Sequence, residues 1–194
     1  MKLKRFAAAL LLLLAAACGK QDTGGHGTDI TGAMPALDLA MMRTNDGRAV
    51  NAGDYRGKVT ILYFGYTHCP DICPTTLANL SEALQKLGNR AGEVRVLFVT
   101  VDPNRDTPAI MKGYVNSFAP QIDGLRGTPD QLTALTRRYR VAFSVTPETP
   151  GHPYEVMHSN AVFFFDRNGR ARLVATATDD ITGLTADIER LLDM

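Results

Sequence analysis

Apolar and polar positions follow two rhythms along this chain. Val59-Thr60-Ile61-Leu62-Tyr63-Phe64 and the run Val94 to Val101 are short and β-branched. Apart from Arg95 in the second run they are largely apolar on both faces, as expected of interior strands in a covered sheet. Asn160 to Asp166 is a third such run, which turns through Arg167-Asn168-Gly169 into a partner strand, Ala171 to Ala177. That is a hairpin pattern. Upstream, Thr44-Asn45-Asp46-Gly47 marks a turn.

Between these strands the apolar spacing lengthens to three and four, the helical period. Behind Cys73-Pro74, Leu77, Leu80, Leu84 and Leu87 share one face, and Gly88 can close the helix. Behind Thr107-Pro108 come Met111, Tyr114, Val115 and Phe118, stopped by Pro120; behind Thr128-Pro129 come Leu132, Leu135 and Tyr139. Each proline is expected at the first helical position, where its missing N–H costs nothing. A last helix carries Leu184, Ile188, Leu191 and Leu192. The order predicts an α/β domain over residues 34–194: a mixed central sheet flanked by helices, ending in a β-hairpin and a helix. Neither an internal repeat nor a second domain is evident.

The N-terminus follows a different pattern. Lys2, Lys4 and Arg5 precede twelve apolar residues, Phe6 to Ala17. That run is too short for a membrane-spanning helix, which needs about 20. Basic residues, a short apolar stretch and small residues before a break describe an export signal. Leu14-Ala15-Ala16-Ala17-Cys18-Gly19 resembles a bacterial lipoprotein signal, so residues 1–17 are expected to be removed and Cys18 lipidated. Residues 18–33, mostly Gly, Asp, Thr and Gln with a lone His26, are expected to form a flexible tether.

Composition sharpens this picture. With 194 residues, 45% hydrophobic and 21% charged, the chain is of globular type and one domain in size. Loss of the leader turns 21 basic residues into 18 against 20 acidic ones, so the formal charge moves from +1 to −2. Such a balance argues against nucleic acid as a partner. Three cysteines are too few for a disulfide-stapled framework, and with Cys18 assigned to lipid only Cys69 and Cys73 remain.

Those two cysteines lie in Gly65-Tyr66-Thr67-His68-Cys69-Pro70-Asp71-Ile72-Cys73-Pro74. Both precede proline, which disfavours helical backbone, so the pair is expected on a kinked loop with the helix starting at Pro74. Helix N-terminal amides would then favour thiolate at the nearest sulfur. A disulfide between them would close a tiny loop and make a poor staple. Two thiolates suit Cu(I), or half of a zinc site. A cysteine pair just beyond the first interior strand, at the mouth of a helix, is also where a thioredoxin-like fold holds its active site.

The motif resembles the Sco/SenC family of copper-binding, thioredoxin-fold proteins, which take part in cytochrome c oxidase assembly. The likeness rests on Gly57-Lys58, Tyr63-Phe64-Gly65-Tyr66-Thr67 and Cys69-Pro70-Asp71-Ile72-Cys73-Pro74. It continues through Val101-Asp102-Pro103, Arg105-Asp106-Thr107-Pro108 and His158 before the strand ending at Asp166. It implies copper, as Cu(I) or Cu(II), on Cys69, Cys73 and His158; two sulfurs and an imidazole can hold either oxidation state. The resemblance also implies a metallochaperone rather than an enzyme, serving the copper-receiving subunit of cytochrome c oxidase, with another periplasmic copper chaperone as a further partner. The same Cys69–Cys73 pair would serve the alternative, a thiol-disulfide oxidoreductase acting on the oxidase's copper-site cysteines. The expected location is the periplasmic side of a bacterial cell envelope, held to the membrane by the lipid. His68 and His152 are expected outside the ligand set, and Met157 as a core or loop residue. Met157 also stands where the family often carries an acidic residue. Asp102 is open to two readings, a turn-former before Pro103 or an outer group near the site.

Overall fold

The computed structural model describes residues 27–194. The expected leader, Cys18 with its expected lipid, and His26 lie outside the described residues. Within the described residues ten strands run in chain order: β1 (Thr28–Asp29), β2 (Ala40–Arg43), β3 (Ala49–Asn51), β4 (Val59–Gly65), β5 (Val94–Thr100), β6 (Ile122–Arg126), β7 (Phe143–Thr146), β8 (Glu155–His158), β9 (Val162–Phe165) and β10 (Ala171–Ala175). Among the described residues four α-helices accompany them: α1 (Ile72–Lys86), α2 (Pro108–Asn116), α3 (Pro129–Arg138) and α4 (Ile181–Leu192).

Eight strands form one mixed sheet in the order β1-β10-β9-β4-β5-β6-β2-β3. β4, β5 and β6 are parallel neighbours, and the remaining pairs are antiparallel. The two apolar runs predicted as interior strands are β4 and β5 at the sheet's middle. Every residue of β4 is buried, because helices cover both of its faces. Ile61 and Tyr63 point to a core shared with Leu77, Leu80 and Leu84 of α1, Met111 of α2 and Ile188 of α4. Leu62 and Phe64 point the other way, to Leu132 and Leu135 of α3 and to Leu37 and Leu39 of the N-terminal segment. Alternation by one residue thus feeds two cores from one strand. Each fully buried leucine of α1 contributes roughly 1.5–3 kcal/mol.

The helix starts at Thr107-Pro108 and Thr128-Pro129 are as expected, with each threonine hydroxyl accepting a hydrogen bond from the third helical amide. The first helix differs. It begins at Ile72, so Cys73 is helical and Pro74 is its third residue rather than its first. Proline remains tolerable there because that amide has no intrahelical partner anyway. Burial of the Cys73 side chain, which has no exposed surface, overrides the local preference before proline.

Three features differ from the sequence expectation. β6 lies beside β5 although Asp123-Gly124 interrupts its apolar pattern. Gly124 is needed there, since a Cβ would collide with the Thr44 hydroxyl. Strand pairing also occurs before Met34, within the expected tether: Thr28 and Asp29 pair with Val174 and Leu173 of β10. The third feature is a separate two-stranded sheet, β7–β8, which presents His158. Among the described residues no helix is long and apolar enough to cross a membrane.

Candidate metal centre

The site begins where β4 ends. Gly65 closes the strand, the chain turns through Tyr66 to Pro70, and α1 starts at Ile72. Packing allows little else at Gly65. A Cβ there would stand 2.7 Å from Cys73 Sγ and 2.7 Å from Phe98 Cε2. The glycine therefore lets the sulfur lie directly against the strand end. Asp106 fixes the following turn from below: its buried carboxylate accepts hydrogen bonds from the Thr67 amide (3.0 Å), the Thr67 hydroxyl (2.6 Å) and the Thr100 hydroxyl (2.6 Å).

Asp71 precedes α1 but its side chain makes no capping hydrogen bond. Cys69 Sγ takes that part, accepting from the Cys73 amide at 3.4 Å. One cysteine is partly exposed and the other buried, and both carry free thiols. Burial pushes the Cys73 thiol up to about 12, outweighing the hydrogen bonds that lower it. The expectation of a favoured thiolate at the helix mouth is thus reversed for Cys73: desolvation of a sulfur inside the core exceeds the helix-terminus effect. A soft cation replacing that proton would remove the cost of buried negative charge.

His158 arrives from the β7–β8 sheet, 85 residues after Cys73, with Nε2 3.3 Å from Cys73 Sγ. Its Nδ1 lies 2.9 Å from the Ser159 carbonyl oxygen. A carbonyl only accepts, so Nδ1 carries the proton and Nε2 directs its lone pair toward the sulfurs. Two aromatic edges hold the ring: Tyr66 at 5.7 Å and Tyr63 at 6.3 Å between centroids, both near perpendicular. The ligand atoms of Cys69, Cys73 and His158 all lie within 4.8 Å of one another. Two soft sulfurs and one neutral imidazole suit copper in either oxidation state. The donor chemistry fits the ion implied by the sequence.

The other predicted residues separate from this cluster. His68 is about half exposed, with Nδ1 3.6 Å from an Asp106 carboxylate oxygen. His152 sits in the β7–β8 connection, bridged to Thr149. Met157 is neither core nor loop; it is an exposed residue of β8, one position out of phase with His158. Asp102 is fully buried and bonds Arg105 Nε and the Tyr154 hydroxyl (2.8 Å). Its carbonyl also accepts from the Arg105 and Asp106 amides, so it shapes the turn as well. Tyr66, Arg105 and Tyr154 escaped the sequence reading as site residues. One signal was available: Tyr154, Val156 and His158 share a two-residue spacing.

A family model described as SCO1/SenC matches residues 41–193. The mitochondrial SCO2 homolog of Bos taurus is 41% identical over 144 residues, which cover 70% of this chain and 54% of that protein. The chain thus spans about half the length of such curated relatives. Among solved structures, Bradyrhizobium japonicum ScoI with copper bound is 37% identical, with TM-score 0.72, covering 81% of this chain and 99% of the other. Yeast Sco1 with copper bound is 33% identical, with TM-score 0.73, covering 81% and 87%.

Proposed function

Because the chain belongs to the SCO1/SenC family of thioredoxin-like proteins, we propose that it carries copper on Cys69, Cys73 and His158 and hands it to the binuclear copper site of cytochrome c oxidase. The observation that carries this reading is the convergence of two sulfurs and one imidazole nitrogen within 4.8 Å, from segments far apart in sequence. Transfer proceeds by ligand exchange. Incoming thiolates of the receiving subunit displace His158, the neutral ligand, and then the cysteines, so the ion is never free. Another periplasmic copper chaperone supplies the ion upstream. The protein is held by lipid on Cys18 to the periplasmic side of a bacterial cell envelope, and the segment before β1 gives the folded head its reach.

A second reading has its own support in the unequal exposure of the two free thiols. Cys69 attacks a disulfide of the partner, forming a mixed disulfide and releasing one partner thiolate. Cys73 then attacks Cys69 Sγ, closing the internal disulfide and releasing the second thiolate. Two electrons pass to the partner, and this chain is oxidised. His158 separates the readings, since thiol exchange does not require it.

The test loads the full chain with Cu(I) and with Cu(II), and repeats both for Cys69→Ser and His158→Ala. The copper reading expects one ion per chain, with Cu(II) retention lost in His158→Ala. A wild-type chain that holds no copper yet rapidly reduces a protein disulfide would favour the oxidoreductase instead.

A further inference from the structure

β8 reaches the site from outside the main sheet, and three alternating side chains turn inward along it: Tyr154 just before the strand, then Val156 and His158. Glu155 and Met157 face solvent. Val156 packs against the core on the α3 side of the sheet, and His158 meets the sulfurs. Tyr154 does something different. Its hydroxyl donates to Asp102 Oδ1 at 2.8 Å, and its ring lies under the Arg105 guanidinium, 3.9 Å from the centroid. Arg105 Nε in turn bonds the other oxygen of the same carboxylate. A fully buried carboxylate is thereby satisfied by two partners, one of them on the residue that leads into the strand carrying His158.

The same guanidinium lies 5.8 Å from the ring of Tyr66, whose edge packs on His158. Asp102 and Arg105 thus meet the imidazole by two routes, one along the strand and one through the Tyr66 ring. Tyr154 and His158 are four residues apart, about 13 Å along an extended strand. Register at one end accordingly sets the position of the other. Just beyond the strand, the Ser159 amide donates to the Ala142 carbonyl at 2.9 Å.

We infer that Asp102, Arg105 and Tyr154 form a latch that positions His158 over the cysteine pair, and that this latch sets how strongly the chain holds Cu(II) relative to Cu(I). The inference rests on His158 being a copper ligand, as proposed above. Cu(I) is satisfied by few soft donors, whereas Cu(II) needs the imidazole, so loosening β8 costs the oxidised ion more. None of the three residues touches the metal; they act through the strand and through Tyr66.

The experiment is a double-mutant cycle on the full chain with Tyr154→Phe and His158→Ala. Readouts are Cu(I) and Cu(II) affinity by chelator competition and the nitrogen hyperfine splitting in the Cu(II) resonance spectrum. Tyr154→Phe keeps the ring and removes only the hydroxyl. Its expected effect is a loss of Cu(II) affinity of about tenfold or more, the scale set by outer partners of metal ligands, with a weakened histidine nitrogen signal. Cu(I) affinity changes less, and in the His158→Ala background Tyr154→Phe has no further effect. Arg105→Lys, which keeps the charge but not the stacked plane, is expected to act in the same direction.

Undiminished Cu(II) affinity in Tyr154→Phe, with His158→Ala impaired, overturns the latch and leaves the ligand set standing. An equal loss for both ions, persisting in His158→Ala, also overturns it. Wild-type Cu(II) binding by His158→Ala would instead remove the histidine from the site, and the latch would fall with it.

Discussion

Substitution of Gly65 by alanine tests the packing that delivers Cys73 to the site. The added Cβ would lie 2.7 Å from Cys73 Sγ and 2.7 Å from Phe98 Cε2, and both side chains have no exposed surface. Ordinary contact distances are about 3.5–4.0 Å, so one group must yield by roughly 1 Å. Phe98 is wedged between Tyr63 and Tyr114, with centroids 5.9 and 5.5 Å away, and has nowhere to go. The sulfur or the strand end has to move. Overpacking of this kind costs about 1–3 kcal/mol. For a domain of this size a 2 kcal/mol loss corresponds to a Tm lower by about 4–8 °C.

A displacement of about 1 Å at Sγ also exceeds the roughly 0.5 Å within which a functional constellation must be held, so Cu(I) affinity should fall together with Tm. Thermal unfolding by circular dichroism and a chelator competition measure the two effects on one sample. Gly113→Ala is the matched control. Gly113 lies inside α2 with nothing within 4 Å of a built Cβ, so the same chemical change should stabilise by about 0.5–1 kcal/mol. A Gly65→Ala chain with wild-type Tm and wild-type copper affinity would refute the claim that the glycine makes room for the sulfur.

Other substitutions probe separate links. Thr128→Ala removes the side-chain half of the capping box on α3, the hydroxyl that accepts from the Gln131 amide, and leaves the backbone amide of residue 128 donating to Gln131 Oε1; it should cost about 1 kcal/mol in a urea titration without altering copper affinity. Asp106→Ala leaves the Thr67 amide and the Thr67 and Thr100 hydroxyls without their shared acceptor. It should destabilise the fold by about 2 kcal/mol or more and weaken copper binding through the Cys69 loop; an effect on stability alone would show that the loop holds its shape unaided. Burial raises the Asp123 carboxyl above the usual range despite Arg43 and the Tyr55 hydroxyl nearby. The native state then binds a proton more tightly than the unfolded chain, so this group's contribution is full below the unfolded pKa and is lost as pH rises through the folded one. Asp123→Asn should therefore gain Tm relative to wild type as pH rises above the free carboxyl value of about 4; a difference that does not change with pH would contradict the sign.

Much of the fold was legible because local patterns and tertiary packing agreed. β4 and β5 are buried on both faces, and an uninterrupted apolar run has no other stable use. The threonine–proline starts of α2 and α3 state their own caps. β6 was hidden because Asp123-Gly124 reads as a turn, whereas its neighbours supply Tyr55 for the carboxylate and a tight fit for the glycine. Cys73 was misplaced for a similar reason. The rule for residues before proline is local, and the burial that overrides it is not.

The cysteine pair and its place at a strand end followed from ten adjacent residues, which left Cu(I) and half of a zinc site open; the resemblance to the Sco/SenC family implied copper. Family resemblance singled out His158 among four histidines. Only the tertiary structure decided how that residue arrives. Its strand belongs to a separate sheet, its tautomer is set by the Ser159 carbonyl, and its register is tied to Asp102 through Tyr154. Pairing across 85 residues depends on which surfaces the tertiary packing brings together. No sequence periodicity encodes that meeting, because the residues that secure it, Tyr66, Arg105 and Tyr154, become neighbours only when the sheet is complete.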